Sequence, residues 1–187
     1  MQSPRVYSLP IEDLEPFLDR RRYSAFAVSQ LAVTSFLGEI LSKANDFVPS
    51  SSGSILMDRP FDRGSTPADT SLYFVATFGS SAQSLLGRHL RADRGVAGYV
   101  YRHGEPYVMN DPENDPTFYS KFDDKTDFIT SCAIAVPVRI ERTVCGVLEL
   151  VNRVDEGGYT QRDMQMLEIF ARYTSVSIEN LLDAQRA

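Results

Sequence analysis

The sequence predicts an α+β fold: a central antiparallel sheet of about six strands, two long helices on one face, and loops and short helices on the other. Three observations predict it. Apolar residues recur at helical spacing in one long segment near each end of the chain. Strand-like alternation marks the segments between them. The elements run helix, two strands, short helix, strand, acidic loop, hairpin, long helix, an order that pairs strands among themselves and sets the long helices apart.

Residues 1–10 are polar and carry prolines, and Ile11, Leu14, Phe17 and Leu18 mark a short amphipathic helix; residues 1–22 are read as an extension ahead of a domain spanning 23–187. From Tyr23 to Ala44 the residues Phe26, Val33, Leu37, Ile40, Leu41 and Ala44 keep a helical period, which closes at Asn45, Asp46 and Pro49. Ser50–Ser54 reads as a loop entering the strand Ser54–Met57. The next strand, Leu72–Phe78, alternates Leu72, Phe74, Ala76 and Phe78 against Tyr73, Val75 and Thr77. The connection between these two strands holds prolines, a glycine and charges, and is longer than a tight hairpin needs.

Gly95–Val100 leads to Arg102-His103-Gly104, a short helix with a glycine cap, and Pro106–Met109 follows as a short strand. Asn110–Thr130 is an acidic, proline-bearing excursion with the look of a lid. Cys132–Ile140 and Val144–Asn152 form a long hairpin in which Pro137 asks for an edge or a bulge. Thr160 suits the N-cap of the last helix, with Asp163 at its third position facing the exposed amides. That helix carries two stripes. Met164, Leu167, Ala171, Thr174, Ile178 and Leu181 form one, and Met166, Ile169, Tyr173 and Val176 the other. One stripe can pack on the sheet while the other meets a partner helix. The pattern persists to the last residue, as expected of a helix that continues into a further domain.

Composition narrows the function. The 187 residues carry 19 Lys and Arg against 25 Asp and Glu, a formal charge of -6. This offers no general attraction to nucleic acid or anionic lipid. No stretch approaches the roughly 18 apolar residues of a membrane span, and acids stand where a signal peptide needs an apolar core, so the expected compartment is the cytoplasm. Two cysteines and two histidines make no recognisable metal site. Cys132 and Cys145 read as reduced core thiols. No nucleophile elbow, phosphate-binding loop or zinc-protease motif is present, so no catalytic residue is assigned. Val96-Ala97-Gly98 opens a short helix, where backbone amides and the helix dipole favour an anion; alternatively, Gly95 and Gly98 serve only close packing.

The residues Arg94–Val100, Gly104-Glu105-Pro106, Asn110-Asp111-Pro112, Asp115–Phe118, Asp123–Thr126, Ala135–Val138 and Cys145–Arg153 resemble a GAF domain (a PAS-like fold). Within that family they are similar to the GAF domains of cyclic-nucleotide phosphodiesterases and adenylyl cyclases. The resemblance spans about residues 25–183. It implies a ligand between the sheet and the loop face, with a cyclic-nucleotide phosphate against the backbone of Val96 and Ala97 and near Tyr119. The base and ribose would meet Ser54, Phe78, Thr126, Thr130 and Glu149. Two departures stand out: Gly79 follows the aromatic where nucleotide-binding members often have an acid, and the family's Asn-Lys, Phe, Asp-Glu signature reads Asn152-Arg153, Tyr159, Asp163-Met164. Arg153 can still pair with Asp163 and fasten the last strand to the last helix.

The resemblance implies a non-catalytic, small-molecule-sensing regulatory domain of a bacterial-type signalling protein. It would need no cofactor beyond a possible cyclic nucleotide, pair as a homodimer through its terminal helices, and control a linked output domain such as a diguanylate cyclase or histidine kinase. A ligand-free dimerisation module is the alternative. A free methionine sulfoxide reductase is a further one, although the acidic loop offers no resolving cysteine. A bilin or haem sensor is a last option, without the cysteine and histidine pairing that bilin attachment wants.

Overall fold

The computed structural model describes residues 4–10, 13–14, 17, 30–60, 64–119, 129–155 and 157–184. Among these, seven strands form one antiparallel sheet: β1 (Val6–Ser8), β2 (Ser50–Asp58), β3 (Ser71–Phe78), β4 (His89–Arg91), β5 (Tyr107–Met109), β6 (Ala133–Ile140) and β7 (Thr143–Arg153). Their order is β1-β3-β2-β7-β6-β5, and β4 pairs with β3. Four helices accompany them: α1 (Gln30–Phe47), α2 (Ala82–Leu85), α3 (Gly95–His103) and α4 (Gln161–Ala184). The α+β class and the antiparallel sheet are as expected.

Each face of the sheet has its own core. On one, α1 supplies Leu37, Leu41 and Ala44, and α4 supplies Leu167, Ala171 and Ile178. These pack on Ile55, Met57, Ile134, Val136, Leu148 and Leu150. On the other, α3 lays Val96, Ala97 and Val100 over Leu56, Leu72, Phe74, Ala133, Ala135 and Val147. Two buried faces make the central strands apolar on both sides, and this is why their alternation is weaker in the sequence than a half-exposed strand would give.

Several elements differ from expectation. β1 adds an edge strand to β3, Val6 opposite Phe78, and Leu9, Leu14 and Phe17 sink into the helix-side core. The segment read as an extension is thus packed into the fold. α1 ends at Phe47, and the expected start of this helix at Tyr23 lies outside the described residues. Ser50–Ser54, read as a loop, is the first half of β2, because Ser50 and Ser52 pair with Arg153 and Val151 of β7. Sheet pairing on a buried strand overrides the poor strand preference of serine. α2 and β4 are too short to leave a periodic trace.

A bulge decides the faces of β3. Ile55 pairs with Ala76 but Leu56 pairs with Phe74, leaving Val75 as the extra residue. Before it, Leu72 and Phe74 point to the α3 side; after it, Ala76 and Phe78 point to the helix pair. The Phe78 ring lies against Gly53, where an added Cβ would stand 2.5 Å from its Cε1. A second shift in register, Val138 opposite Gly146 and Arg139 opposite Val144, leaves Cys145 as the extra residue of β7. Pro137 stands beyond the reach of β5, which ends its pairing at Ala135, so its missing N–H breaks no ladder on that side.

The terminal signals read as expected. Gly104 caps α3 at φ +69, its N–H donating to the Val100 carbonyl. The β6–β7 turn places Glu141 and Arg142 at φ +48 and +69, the geometry of a two-residue hairpin turn made here without glycine. The Glu141 N–H donates to Glu179 Oε1 at 2.8 Å, pinning the tip to α4. At the start of α4, Asp163 N–H donates to Thr160 Oγ1 while Asp163 Oδ2 accepts from the Thr160 N–H, a reciprocal cap. The two stripes separate in most positions: Leu167, Ala171, Thr174 and Ile178 are buried, while Ile169, Tyr173 and Val176 are 59%, 61% and 46% exposed; Met166, read with the outer stripe, packs instead against the helix-side core.

Candidate functional site

A cavity of about 130 Å³ lies between the sheet and α3. β2 gives Ser54 to its floor, β3 gives Phe74, β6 gives Ala133 and β7 gives Glu149 and Val151; Gly95, Val96 and Ala97 at the start of α3 form the roof, with Leu90, Met109, Phe118 and Tyr119 along the walls. Strand alternation explains the floor. On β7, Val147, Glu149 and Val151 face this side, while Leu148 and Leu150 face the helix pair. The lining is mostly apolar with a few converging polar groups, the usual character of a small-molecule site.

Of the eight residues named from the sequence, Ser54, Val96, Ala97, Tyr119, Thr130 and Glu149 come together in this lining. Thr126 lies outside the described residues. Phe78 is brought elsewhere: the bulge at Val75 turns it into the helix-side core, 1% exposed, and Phe74 is the β3 aromatic that faces the cavity. Simple alternation put Phe74 and Phe78 on one face, and nothing in the sequence marks the inserted residue.

Among the described residues Glu149 is the only carboxylate in the lining. Burial pushes its carboxyl up from 4.5 to about 7, and the nearby backbone N–H of Ala97 offsets a smaller part of that. The start of α3, where a phosphate was expected, thus shares the hollow with a carboxyl of the chain itself. Gly98 serves packing as well: an added Cβ would stand 2.9 Å from the Ala92 carbonyl oxygen.

Thr130 is carried to the cavity by a loop that Asn152 holds. Asn152 sits at φ +57; its Oδ1 accepts from Ser131 N–H at 2.7 Å and from Ser131 Oγ at 3.0 Å, and its Nδ2 donates to the Ile129 carbonyl at 2.6 Å. The sequence marks this residue only through the family pattern at Asn152-Arg153. Its neighbour Arg153 reaches Asp163 with Nε at 3.1 Å, fastening β7 to α4 away from the cavity.

Cys132 and Cys145 are free and buried, and both belong to the helix-side cluster. Ala133, not Cys132, faces the cavity. Among the described residues no three His, Cys, Asp or Glu side chains gather as metal ligands, and no helix is long and apolar enough to cross a membrane.

Comparison with known proteins places these features. A GAF-domain family model matches residues 30–179. The chain is similar to the probable 3′,5′-cyclic phosphodiesterase pde-5 of Caenorhabditis elegans, 33% identical over 87 residues that make up 46% of this chain and 12% of that protein. It is 26% identical over 89 residues to the dual 3′,5′-cyclic-AMP and -GMP phosphodiesterase 11A of Takifugu rubripes, 46% of this chain and 10% of that one. The chain thus matches about a tenth of the length of these relatives.

Among solved structures, residues 122 to 287 of a methyl-accepting chemotaxis protein superpose with a TM-score of 0.63 at 22% identity, over 79% of this chain and 88% of that one. The GAF domain of an Acinetobacter phosphoenolpyruvate-protein phosphotransferase gives 0.61 at 17%, over 79% and 82%. The free methionine-R-sulfoxide reductase of Neisseria meningitidis gives 0.58 at 17%, over 81% and 78%. At such identities the likeness is one of fold.

Proposed function

The chain belongs to the GAF domain family, and from that membership we propose that it is a non-catalytic regulatory module that senses a small molecule in the cavity beneath α3. Its occupancy would be passed through α4 to a linked output domain, of which a diguanylate cyclase or a histidine kinase of bacterial type is the candidate. The observation that carries the reading is the cavity: six residues named for ligand contact line one mostly apolar hollow with a carboxyl at its floor. That the matching segment is about a tenth of the phosphodiesterase relatives accords with a module serving a larger protein.

A cyclic nucleotide is the candidate ligand that the phosphodiesterase relatives suggest. Three features weigh on it. The cavity of about 130 Å³ is smaller than the roughly 300–1,000 Å³ of typical ligand sites. Phe78 is turned away from it, and the Glu149 carboxyl stands beside the Ala97 amide. A nucleotide therefore needs the wall to move and its phosphate to share the roof with Glu149. Mass spectrometry of whatever the purified protein carries, with calorimetry against cyclic AMP and cyclic GMP, tests the reading. A released small molecule or a saturable heat supports it; an empty protein that binds neither nucleotide leaves the dimerisation module.

The exposed stripe Ile169, Tyr173 and Val176 on α4 supports a homodimer through the terminal helices, the seam repeating at the 3 and 4 spacing of a coiled coil. This pairing suits the sensor as well as the ligand-free module. The reductase reading has little support, because both thiols face the opposite core from the cavity.

A further inference from the structure

A second concave space lies against the outside of the cavity. It measures about 360 Å³ and is lined by α3 and by residues 116–119. Gly95, Phe118 and Tyr119 line both spaces, so these two rings are the wall between them. The two chambers differ in chemistry. Among the described residues the inner one is apolar around a single carboxyl, whereas the outer presents Arg94, Arg102 and His103. The one acid among the described residues lining the outer chamber, Asp93, pairs with Arg91, whose Nη2 and Nε reach its two oxygens at 2.7 and 3.1 Å, and with Arg94, whose Nε lies 3.6 Å from its Oδ1.

We propose that the two spaces are the chambers of one site, divided by Phe118 and Tyr119, that takes an elongated anionic ligand with a flat apolar body inside and a phosphate or carboxylate group outside. This rests on the sensor reading and reverses the direction in which the resemblance would lay the ligand. Inside, the Glu149 carboxyl stands beside the Ala97 amide, and an anion placed there would be repelled by the charged form of that carboxyl. Outside, two guanidiniums offer forked donors suited to an oxyanion. Arg94 lies over the Tyr119 ring at 5.4 Å and so touches the dividing wall itself. Among the described residues Arg102 donates only its Nε, to the Gly98 carbonyl at 3.2 Å. His103 stacks on Tyr99 at 4.0 Å, which extends an aromatic surface along the cleft. Size agrees as well. A cavity of roughly 150 Å³ accepts benzene, so the inner chamber holds about one ring, and only with the outer chamber does the site reach the volume usual for a ligand.

Phenyl phosphate and phenol, which differ only in the anionic group, test the proposal by ligand-observed NMR titration of the full chain. Wild type is expected to bind phenyl phosphate at least tenfold more tightly than phenol. In Arg94→Ala/Arg102→Ala that preference falls below about threefold while phenol binding is unchanged; neither side chain caps a helix end, and an unchanged melting temperature confirms folding. Ala133→Leu, which fills the inner chamber, weakens both probes, and so does Val151→Phe if Ala133→Leu fails to fold. Equal binding of the two probes, no binding of either, no effect of the arginine replacements, or phenyl phosphate binding indifferent to the filled inner chamber overturns the proposal. A co-purified ligand that survives the double arginine replacement would overturn it while leaving the sensor reading intact.

Discussion

Glu149 on β7 stands close to the backbone N–H of Ala97 in the first turn of α3, so that the floor of the cavity faces its roof. A carboxyl so placed couples the site to pH. Burial raises it from 4.5 to about 7, so the folded chain holds this proton more tightly than the unfolded chain does. The contribution of Glu149 to stability is complete below about pH 4.5 and is lost as pH rises through about 7. The full difference amounts to roughly 3 kcal/mol. The carboxyls of Asp93, Asp115 and Asp163 are shifted the other way, so their effect falls below about pH 4 and outside this window. Thermal melts at pH 5 and pH 8 are expected to show wild type losing stability at the higher pH and Glu149→Gln holding level. Equal loss in both proteins would remove Glu149 as the source.

Asn152 combines a left-handed backbone with side-chain bonds that hold the loop bearing Thr130. Asn152→Ala loses the bonds and keeps the strained backbone, for an expected cost of about 2–4 kcal/mol. Asn152→Gly relieves the backbone alone and should recover about 1 kcal/mol of it. Urea midpoints at constant slope measure both. If glycine proves no better than alanine, the backbone contribution is absent.

The Arg153–Asp163 pair is half-shielded on one side and buried on the other, with side chains 17% and 8% exposed. Burial pushes the Asp163 carboxyl up, but bonds from Thr160 and Arg153 outweigh it and hold the carboxyl below its usual range. Asp163→Asn removes the charge and weakens the helix cap, and is expected to cost about 2–4 kcal/mol. Arg153→Met should cost less. A double-mutant cycle should return a coupling of about 1–3 kcal/mol; a coupling near zero would mean that the cap, and not the pair, carries the effect.

Ile169 and Tyr173 stand outward on α4. Replacing both with Glu should leave the melting temperature of the monomeric fold unchanged and shift sedimentation velocity from dimer to monomer. A wild type that sediments as a monomer at all accessible concentrations, or a variant that still pairs, would remove this stripe as the interface.

Much of this was legible because the signals are local. The cap at Gly104, the Thr160–Asp163 box and the two stripes of α4 each depend on residues within a few positions of one another, and they appear as read except that Met166 turns from the outer stripe to the core. The Arg153–Asp163 pair was legible through spacing in the family pattern. What escaped depends on distant partners. β1 exists because β3 offers Val6 and Ser8 an open edge, and Ser50–Ser54 is extended because β7 lies beside it. The Ala97 amide reads as available from the helix alone, and only the fold brings Glu149, more than fifty positions away in the chain, to it.

The bulge at Val75 gives β3 a choice of two registers. Drawing Val75 into a regular ladder, with no residue lost, would turn every side chain beyond it to the other face, whereas deleting it would leave Phe78 three positions from Phe74 and so where it now lies. In the straightened register, ring and methyl groups now bedded under α1 and α4 would be offered to whatever occupies the hollow. The chemical preference of this scaffold thus depends on where one strand takes up its spare residue.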